Sequence, residues 1–342
     1  MPSLWGLRER VYNQFRASFD IKGDLVKPEM AATAPDVPLR KKDTFFRFVM
    51  RNKPLYIMLI PGLLYFLVFK YVPLLGSVIA FQDYNIFKGF LKSDWVGFKW
   101  FVQFFSYPNL RRLMVNTLLI SLYQLVFAFP APIILAVLLN ELRNMAYKRF
   151  VQTVLYLPHF LSWTIVFGLA YMILSVQTGL VNQLLMALGR EPIAFLQSAE
   201  HFRKLIVISG VWKEMGWNAI IFLAALAGIN PSLYEAAKID GAGRWKQFVY
   251  ITLPGLLPAI MILLLLKIGH ILDSGLEQIY VFLNPLTLET GEVLDTYTYR
   301  VGVLAGQYSL TTAIGLFKSV VGFILLVIAN RASKVTTGEG LY

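Results

Sequence analysis

Long apolar stretches alternate with shorter polar ones along most of this 342-residue chain. About 20 consecutive apolar residues are enough to cross a bilayer as an α-helix. The pattern therefore predicts an all-α membrane protein with about six transmembrane helices. Pro158 lies within the third, where neighbouring helices or water would satisfy the backbone groups that a proline leaves free. We expect the six helices at residues 55–80, 113–139, 151–174, 204–227, 254–273 and 311–329.

Composition narrows the class of protein further. Apolar residues make up 57% of the chain, which is too large a share for a soluble enzyme of this length. The net charge of +12 comes from basic residues spread among the polar loops, so it predicts no nucleic-acid partner. The chain contains no cysteine, which excludes disulfides and cysteine-ligated metals.

The basic residues also predict how the chain is oriented in the membrane. Cytoplasmic loops carry an excess of lysine and arginine. Basic residues crowd into segments 40–53 and 140–150 and into the loop between the fourth and fifth predicted helices. With an even number of helices, this distribution predicts that the N and C termini are both cytoplasmic. The first outer loop, 81–112, is also basic and fits the pattern least well.

Residues 1–53 precede the first predicted helix and lack the apolar core of a signal peptide. Apolar residues between Leu4 and Phe19 recur at near-helical spacing against arginines, which indicates an amphipathic helix lying on membrane lipid. A tail that becomes ordered only within a complex is an equally good interpretation. The prediction is a cytoplasmic N-terminal arm of helix and linker, followed by a transmembrane domain at 54–342.

A polar loop at residues 231–252 separates the fourth and fifth predicted helices. In its first letters, PSLYE, Ser232 and Glu235 have the spacing of a capping box, which predicts a helix from about Leu233. Gly241 frees the backbone to turn. The loop is therefore predicted to be a helix, a bend and a second short amphipathic helix on the cytoplasmic face.

The same loop reads EAA, three residues, Gly, nine residues, Ile, one residue, Leu-Pro. This motif resembles the EAA signature of membrane subunits of binding-protein-dependent ABC importers. The stretches YVPLLGSVIAFQDYN, LDTYTYRVG and GLFKSVVGFILLVIANR, and the terminal GEGLY, resemble carbohydrate permeases of the maltose-transporter type, in the oligosaccharide and polysaccharide branch. The likeness covers nearly all of the chain from about residue 50 onward.

This resemblance implies a type I ABC importer permease fold in a bacterial cytoplasmic (inner) membrane. The implied partners are a second homologous permease, two ATP-binding subunits that hold ATP and magnesium, and an extracytoplasmic solute-binding protein that delivers an oligosaccharide. The loop would form coupling helices that dock on the ATPase. The alternative for its two acidic residues is that they only cap a helix. The implied coupling residues are Glu235, Ala236, Ala237, Asp240, Gly241, Ala242 and Arg244.

Signatures of catalysis are missing from the sequence. It contains no G-x-x-x-x-G-K-[ST] phosphate loop, no H-E-x-x-H metal site and no G-x-S-x-G elbow. Its three histidines lie in different segments. We therefore expect a transport subunit that is not an enzyme and that holds no cofactor or metal of its own.

Three polar residues near the end of the fifth predicted helix are candidates for the substrate pathway. An ionisable group costs roughly 2.5 to 3.5 kcal/mol at the centre of a membrane helix, so it normally faces a cavity or a partner. Lys267, His270 and Asp273 are three residues apart, which predicts a common helical sector. They would contact a polar or acidic sugar, or else form a lysine–aspartate pair that only locks helices together.

A second candidate patch lies in the fourth predicted helix. Glu214 and Asn218 are four residues apart, and Trp217 lies beside them. Sugar sites commonly combine hydrogen-bonding groups with an aromatic face. The alternative for Trp217 is an anchor at the membrane interface. Lys318, in the last helix, would either reach the interface or face the pathway.

Two other kinds of protein are compatible with parts of this pattern. An ion-coupled secondary sugar transporter would also carry charges within the membrane, but it would need no docked cytoplasmic loop. A membrane scaffold or sensor that transports nothing would need no pathway. The sequence leaves the identity, length and charge of the sugar open.

Overall fold

The computed structural model describes residues 50–338, 340 and 341. The arm predicted for residues 1–53 therefore lies almost wholly outside the described residues. Within them, secondary structure is helical except for one antiparallel ribbon of two short strands, β1 (Gln82–Asp83) and β2 (Asp94–Trp95). The chain divides into two compact units between Leu67 and Val68, and the second unit contains every site described below.

The helices follow one another along the chain with short connections. The α-helices are α1 Lys53–Phe66, α2 Val72–Leu75, α3 Gly89–Lys92, α4 Lys99–Phe105, α5 Leu110–Tyr123, α6 Pro130–Glu141, α7 Met145–Tyr156, α8 Trp163–Leu174, α9 Leu180–Ala187, α10 Ala199–Ala227, α11 Pro231–Ile239, α12 Arg244–Gln247, α13 Leu253–Gly269, α14 Leu276–Phe282, α15 Leu288–Gly291, α16 Leu294–Thr298 and α17 Tyr308–Thr337. Wide π-helical turns cover Leu67–Tyr71, Gln124–Ala128, Phe248–Thr252 and Tyr299–Leu304, and narrow 3-10 turns cover Gly76–Phe81 and Leu157–Phe160.

Five continuous helical stretches are long and apolar enough to cross a membrane, and a bent pair of helices brings the number to six. The prediction of about six apolar helices is confirmed. The continuous stretches are Lys53–Phe81, Leu110–Glu141, Ala199–Ala227, Arg244–Gly269 and Tyr308–Val335.

The third predicted helix is broken, so the expectation of one continuous helix over 151–174 is wrong. Met145–Phe160 and Trp163–Leu174 meet at an angle of 105°. Pro158 is the second residue of a narrow turn, where its missing N–H weakens the helix. The hydroxyl of Ser162 then accepts a hydrogen bond from the amide of Ile165 at 3.3 Å and caps the next helix. A stop and a start signal therefore stand next to each other.

The fifth predicted helix ends earlier than expected. α13 stops at Gly269, and His270 caps it. Gly275 adopts a φ of +91°, which glycine tolerates best, and α14 begins immediately after it. Asp273 therefore lies in a connecting segment, and its predicted place on the same helical sector as Lys267 is wrong.

Three of the π-helical turns end two residues before a proline. They are Leu67–Tyr71 before Pro73, Gln124–Ala128 before Pro130 and Phe248–Thr252 before Pro254. A proline ring clashes with the carbonyl one helical turn earlier, and a wider turn relieves the clash without ending the helix. Consequently Arg244–Gly269 is one continuous stretch. The separate second short helix predicted after the bend is wrong, because that segment is the first part of this longer helix.

The long helix α10 lies at the centre of the packing. Its buried Ala219 and Phe222 form one apolar cluster with Ala136 of α6 and Leu256 of α13. Near its middle, Gly216 is in close contact with the backbone of Leu155 at the end of α7. Because α10 touches all three of these helices, it fixes the positions of the side chains that it carries between them.

Candidate functional site

A cavity of about 520 Å³ lies between α10, α13 and the segment that follows α13. Its volume is within the usual range for small-molecule sites. The two patches predicted from the sequence meet here, because α10 and α13 pack side by side. Five of the six predicted pathway residues line the cavity: Glu214, Asn218, Lys267, His270 and Asp273.

The carboxylate of Glu214 is held by two basic side chains. His159 Nδ1 lies 2.8 Å from one of its oxygens and Lys213 Nζ lies 3.1 Å from the other. Lys213 is buried and also donates a hydrogen bond to the backbone carbonyl of His159 at 2.7 Å. This ammonium therefore satisfies a carbonyl at the break of the third span while it neutralises a carboxylate on the cavity wall.

Trp217 does not line the cavity. Its ring stacks on the imidazole of His159, with centroids 4.5 Å apart and an angle of 2° between the planes. Phe160 packs edge-on against the same indole at 5.6 Å. The predicted aromatic surface for a sugar is therefore directed at the broken span, where it supports the His159 ring.

The carboxylate of Asp273 is paired with Lys318 of α17, at 2.5 Å. The same ammonium contacts Asp295 of α16. Asp295 in turn accepts a hydrogen bond from the amide of Ser274 at 2.8 Å. The lysine–aspartate pair predicted for this region is therefore present, but Asp273 pairs with Lys318 and not with Lys267.

Lys267 and His270 are left facing the cavity. Among the described residues, Lys267 makes no ion pair. His270 Nδ1 lies 2.9 Å from the carbonyl oxygen of Leu266, and because a carbonyl only accepts, Nδ1 carries the proton. Its Nε2 has no hydrogen-bond partner among the described residues. The cavity offers one ammonium and one imidazole nitrogen.

Uncharged polar residues complete the wall, and the sequence reasoning missed them. Gln124 Nε2 donates to the carbonyl of Ser274 at 3.2 Å, which ties the wide turn after α5 to the segment after α13. Buried Gln278 donates to the carbonyl of Ile206 at 2.6 Å. An amide inside an otherwise apolar stretch is the signal that would have found Gln124.

The loop at 231–252 begins with a different cap from the one expected. Asn230 is the N-cap, and its side-chain oxygen accepts a hydrogen bond from the amide of Ser232 at 3.0 Å. Pro231 occupies the first helical turn, where its lack of an N–H costs nothing. The predicted capping box from Ser232 to Glu235, and the start at Leu233, are therefore wrong by about two residues.

The bend after α11 is a glycine-dependent helix end. Gly241 has a φ of +75°, a conformation that glycine adopts without strain. Its amide donates to the carbonyl of Lys238 at 3.1 Å, and the amide of Ala242 donates to Ala237 at 2.8 Å. This pair of hydrogen bonds is the Schellman motif. Gly241 thus has a backbone role that no side-chain-bearing residue fills without strain.

The surface of this loop is exposed. Among the residues implied for coupling, Glu235, Ala236, Asp240, Gly241 and Arg244 are exposed, and Ala237 and Ala242 are half-buried. Two large apolar side chains, Ile239 and Trp245, are exposed beside them.

The other side of the loop is fixed to the rest of the chain. The hydroxyl of Tyr234 lies 3.0 Å from that of Thr252, which ties α11 to the turn before α13. Arg244 lies 3.5 Å from the carboxylate of Glu141 at the end of α6.

One known protein family matches the part of the chain that contains both the cavity and the loop at 231–252. Residues 128–334 match the family of binding-protein-dependent transport system inner membrane components. This range contains α10, the loop and α13. The chain belongs to this family. It is therefore the permease component of a binding-protein-dependent importer and a multi-pass inner membrane protein.

Two related proteins align with most of this chain, beyond the range of the family match. Protein LplB of Bacillus subtilis (strain 168) is 49% identical over 309 residues, which is 90% of this chain and 97% of LplB. The polygalacturonan/rhamnogalacturonan transport system permease protein YteP of the same organism is 47% identical over 317 residues, 92% of this chain and 99% of YteP. These relationships favour an importer over the ion-coupled carrier and the scaffold.

A solved structure shows the same fold. The crystal structure of a bacterial ABC transporter involved in the import of the acidic polysaccharide alginate contains a chain with 41% sequence identity and a TM-score of 0.78. The match covers 85% of this permease and 99% of that chain. The predicted type I permease fold is confirmed.

Proposed function

We propose that this permease forms one half of the translocation pathway of an ATP-driven importer and couples closure of its ATPase partners to alternating access. The observation that carries the proposal is that both helices flanking the exposed loop also line the cavity. α10 carries Glu214 and Asn218 and leads into the loop, and the helix that leaves the loop carries Lys267. Displacement of the loop would therefore move the cavity walls directly.

The connection on the exit side is a single helix. Arg244 and Lys267 belong to the continuous stretch Arg244–Gly269. At a rise of 1.5 Å per residue, their backbones lie about 35 Å apart along it. That distance exceeds the thickness of the hydrocarbon core, about 30 Å. The loop and the cavity charge would thus be near opposite surfaces of the membrane.

The proposed assembly also contains ATPase subunits, a second permease and a binding protein. It has no phosphate-binding loop, so ATP and magnesium are assigned to two partner subunits. Those subunits would receive the exposed surface around Glu235, Ile239 and Trp245. A second homologous permease would supply the other half of the pathway, and an extracytoplasmic binding protein would deliver the solute.

The proposed solute is an oligosaccharide that carries acidic groups. Each carboxylate on the cavity wall is paired with a lysine, Glu214 with Lys213 and Asp273 with Lys318. Lys267 thus adds a positive charge that the described chain does not pair. The solved neighbour imports an acidic polysaccharide, and YteP is a permease for polygalacturonan and rhamnogalacturonan, which supports a carbohydrate of this kind.

The proposed topology places the loop at 231–252 and both termini in the cytoplasm. Its support is the excess of basic residues in these segments. The loop then lies on the side where ATP is available, and the far end of α13 opens toward the side where a binding protein docks.

The test of coupling uses two neighbouring glycines. Gly241→Val puts a β-branched side chain at a φ of +75°, which costs about 1–3 kcal/mol and distorts the bend. Gly243→Ala is the control, because Gly243 has a φ of −66° and open space around its Cβ position. Each variant is reconstituted in vesicles with the ATPase subunits and the binding protein.

The measured quantities are ATP hydrolysis stimulated by the binding protein and uptake of the solute. We expect Gly241→Val to abolish both, and Gly243→Ala to retain both. Normal stimulated hydrolysis and uptake by Gly241→Val would show that this loop does not transmit closure of the ATPase.

A further inference from the structure

The segment after the first span forms a hairpin with an apolar tip. β1 and β2 pair at its base, and α3 lies at its tip. Phe87 and Leu91 at the tip are 98% and 100% exposed, and Ile86 and Phe90 are also exposed. Fully burying one such side chain contributes about 1.5–3 kcal/mol. Adjacent apolar side chains exposed to this degree mark a contact surface.

Hydrogen bonds hold the tip in a defined shape. Gln82 Nε2 donates to the carbonyl of Phe90 at 3.1 Å. The hydroxyl of Ser93 donates to the carbonyl of Gly89 at 2.7 Å and accepts from the amide of Asn85 at 3.2 Å. A fixed backbone therefore presents Phe87 and Leu91 to the outside, while the Phe90 ring packs against Tyr84 at 5.3 Å.

The position of the hairpin sets its depth. It begins directly after Phe81, the last residue of the first span. The amide of Tyr84 donates to the hydroxyl of Ser309, in the first turn of the last span, at 3.0 Å. The Tyr84 ring also packs against Tyr308. Two span ends therefore hold the hairpin at the membrane surface.

The charges on the hairpin suit a layer of lipid phosphates. Lys88 and Lys92 alternate with the apolar residues of the tip, and both are exposed. Lys88 lies 3.2 Å from Asp94, but this ion pair is on the surface and therefore weak. Lysine stems pack along apolar material while their ammonium groups reach a polar layer. Exposed Trp95 on β2 is a residue type enriched at membrane interfaces.

We propose that the hairpin tip, residues 86–92, inserts into the leaflet at which the first span ends, the outer leaflet in the proposed topology. Phe87 and Leu91 lie below the lipid phosphates, and Lys88 and Lys92 contact them. Interfacial segments of this kind bury their apolar face by about 5–10 Å. The hairpin thus anchors the ends of the first and last spans at one depth in the membrane. These two ends would stay in place while the coupling loop at 231–252 moves.

The absence of cysteine from the chain makes a direct depth measurement possible. Phe87→Cys and Leu91→Cys are each labelled with a nitroxide, and Asp94→Cys, exposed at the base of the hairpin, is the control. The assembled transporter is reconstituted in vesicles of phosphatidylethanolamine and phosphatidylglycerol. Collision rates with oxygen and with a water-soluble nickel chelate then report the depth of each label.

We expect labels at 87 and 91 to collide mainly with oxygen and to lie about 5–10 Å below the phosphates, and the label at 94 to collide mainly with nickel. Nickel-accessible labels at 87 and 91 would overturn the proposal. If those labels are water-exposed in vesicles and lose nickel access only when the solute-binding protein is added, the tip is a protein-docking surface and the membrane proposal is wrong.

The lysines are tested in the same vesicles. Near an anionic surface, one lysine changes membrane partitioning about fivefold. Lys88→Gln with Lys92→Gln should therefore reduce the membrane-inserted fraction of the label at 91, and replacing phosphatidylglycerol with phosphatidylcholine should do the same. An inserted fraction unchanged by both would refute the proposed phosphate contacts.

Discussion

Gly216 of α10 approaches Leu155 of α7 so closely that a Cβ built on the glycine would lie 2.1 Å from the leucine carbonyl oxygen. No side chain fits there unless the two helices separate. This contact holds the broken third span against the central helix, next to Glu214 and Trp217, which both bind His159.

Gly216→Ala should destabilise the permease by about 1–3 kcal/mol, because the added methyl group meets backbone that cannot rotate away. Thermal unfolding in detergent measures the change. Gly168→Ala is the matched control, since its Cβ would meet nothing within 4 Å and alanine favours a helix by about 0.5–1 kcal/mol. Equal unfolding temperatures for the two variants would contradict the close contact.

Lys318→Met should cost about 3 kcal/mol, at the low end for a buried pair, because it leaves the half-buried carboxylate of Asp295 without its cation, whereas Asp273 is exposed. Lys204→Met is the control, since its ion pair with Glu200 is exposed and contributes little. Adding Asp295→Asn to Lys318→Met should restore part of the loss. A double variant no more stable than the single one would argue against the proposed pairing.

Lys267→Gln should weaken the import of acidic oligosaccharides. A hydrogen bond to a charged group contributes about 1.5–3 kcal/mol, which corresponds to at least tenfold in affinity. We expect the KM of uptake to rise about tenfold for an acidic solute and to stay unchanged for a neutral one of equal length. Lys204→Gln, whose ion pair with Glu200 is exposed and lies outside both the cavity and the loop, is the control. An equal rise in KM for both solutes would mean that Lys267 does not distinguish an acidic solute from a neutral one.

Trp245→Ala should weaken association with the ATPase subunit, because exposed tryptophans often supply about 2 kcal/mol or more to an interface. The readout is retention of the ATPase on a tagged permease during washing. Trp95→Ala, which removes an exposed indole from the hairpin after the first span, should leave retention unchanged. Loss of retention in both variants would point to general destabilisation, which thermal unfolding of the permease would reveal.

Hydropathy predicted the number and approximate positions of the spans because each apolar stretch has to cover the same bilayer thickness. It did not predict the break at Ser162, since a proline and a serine are each tolerated inside a membrane helix and only their combination ends one. The cap at Asn230 was missed for a related reason. Asn230 and Ser232 are both good N-cap residues, and the choice depends on Pro231 occupying the first helical turn.

The cavity could be predicted only in part. The ionisable residues of the spans were identified from their cost in lipid, and five of the six predicted residues line one cavity. The cation that pairs with Asp273 was not predictable, because Lys318 is distant in sequence and belongs to a separate helix. The role of Trp217 also depends on a contact distant in sequence, the imidazole of His159.

The wide turn at Phe248–Thr252 changes the direction in which the side chains beyond it point around the helix axis. Each residue of an α-helix advances the side-chain direction by about 100°, so one extra residue in a turn offsets everything beyond it by that angle. Deleting one residue from this turn would restore regular winding and keep Lys267 in nearly its present direction, whereas closing the wide turn without a deletion would rotate Lys267 by about 100° relative to Arg244. The azimuth of the Lys267 ammonium group in the cavity is therefore set about five turns away, beside Pro254.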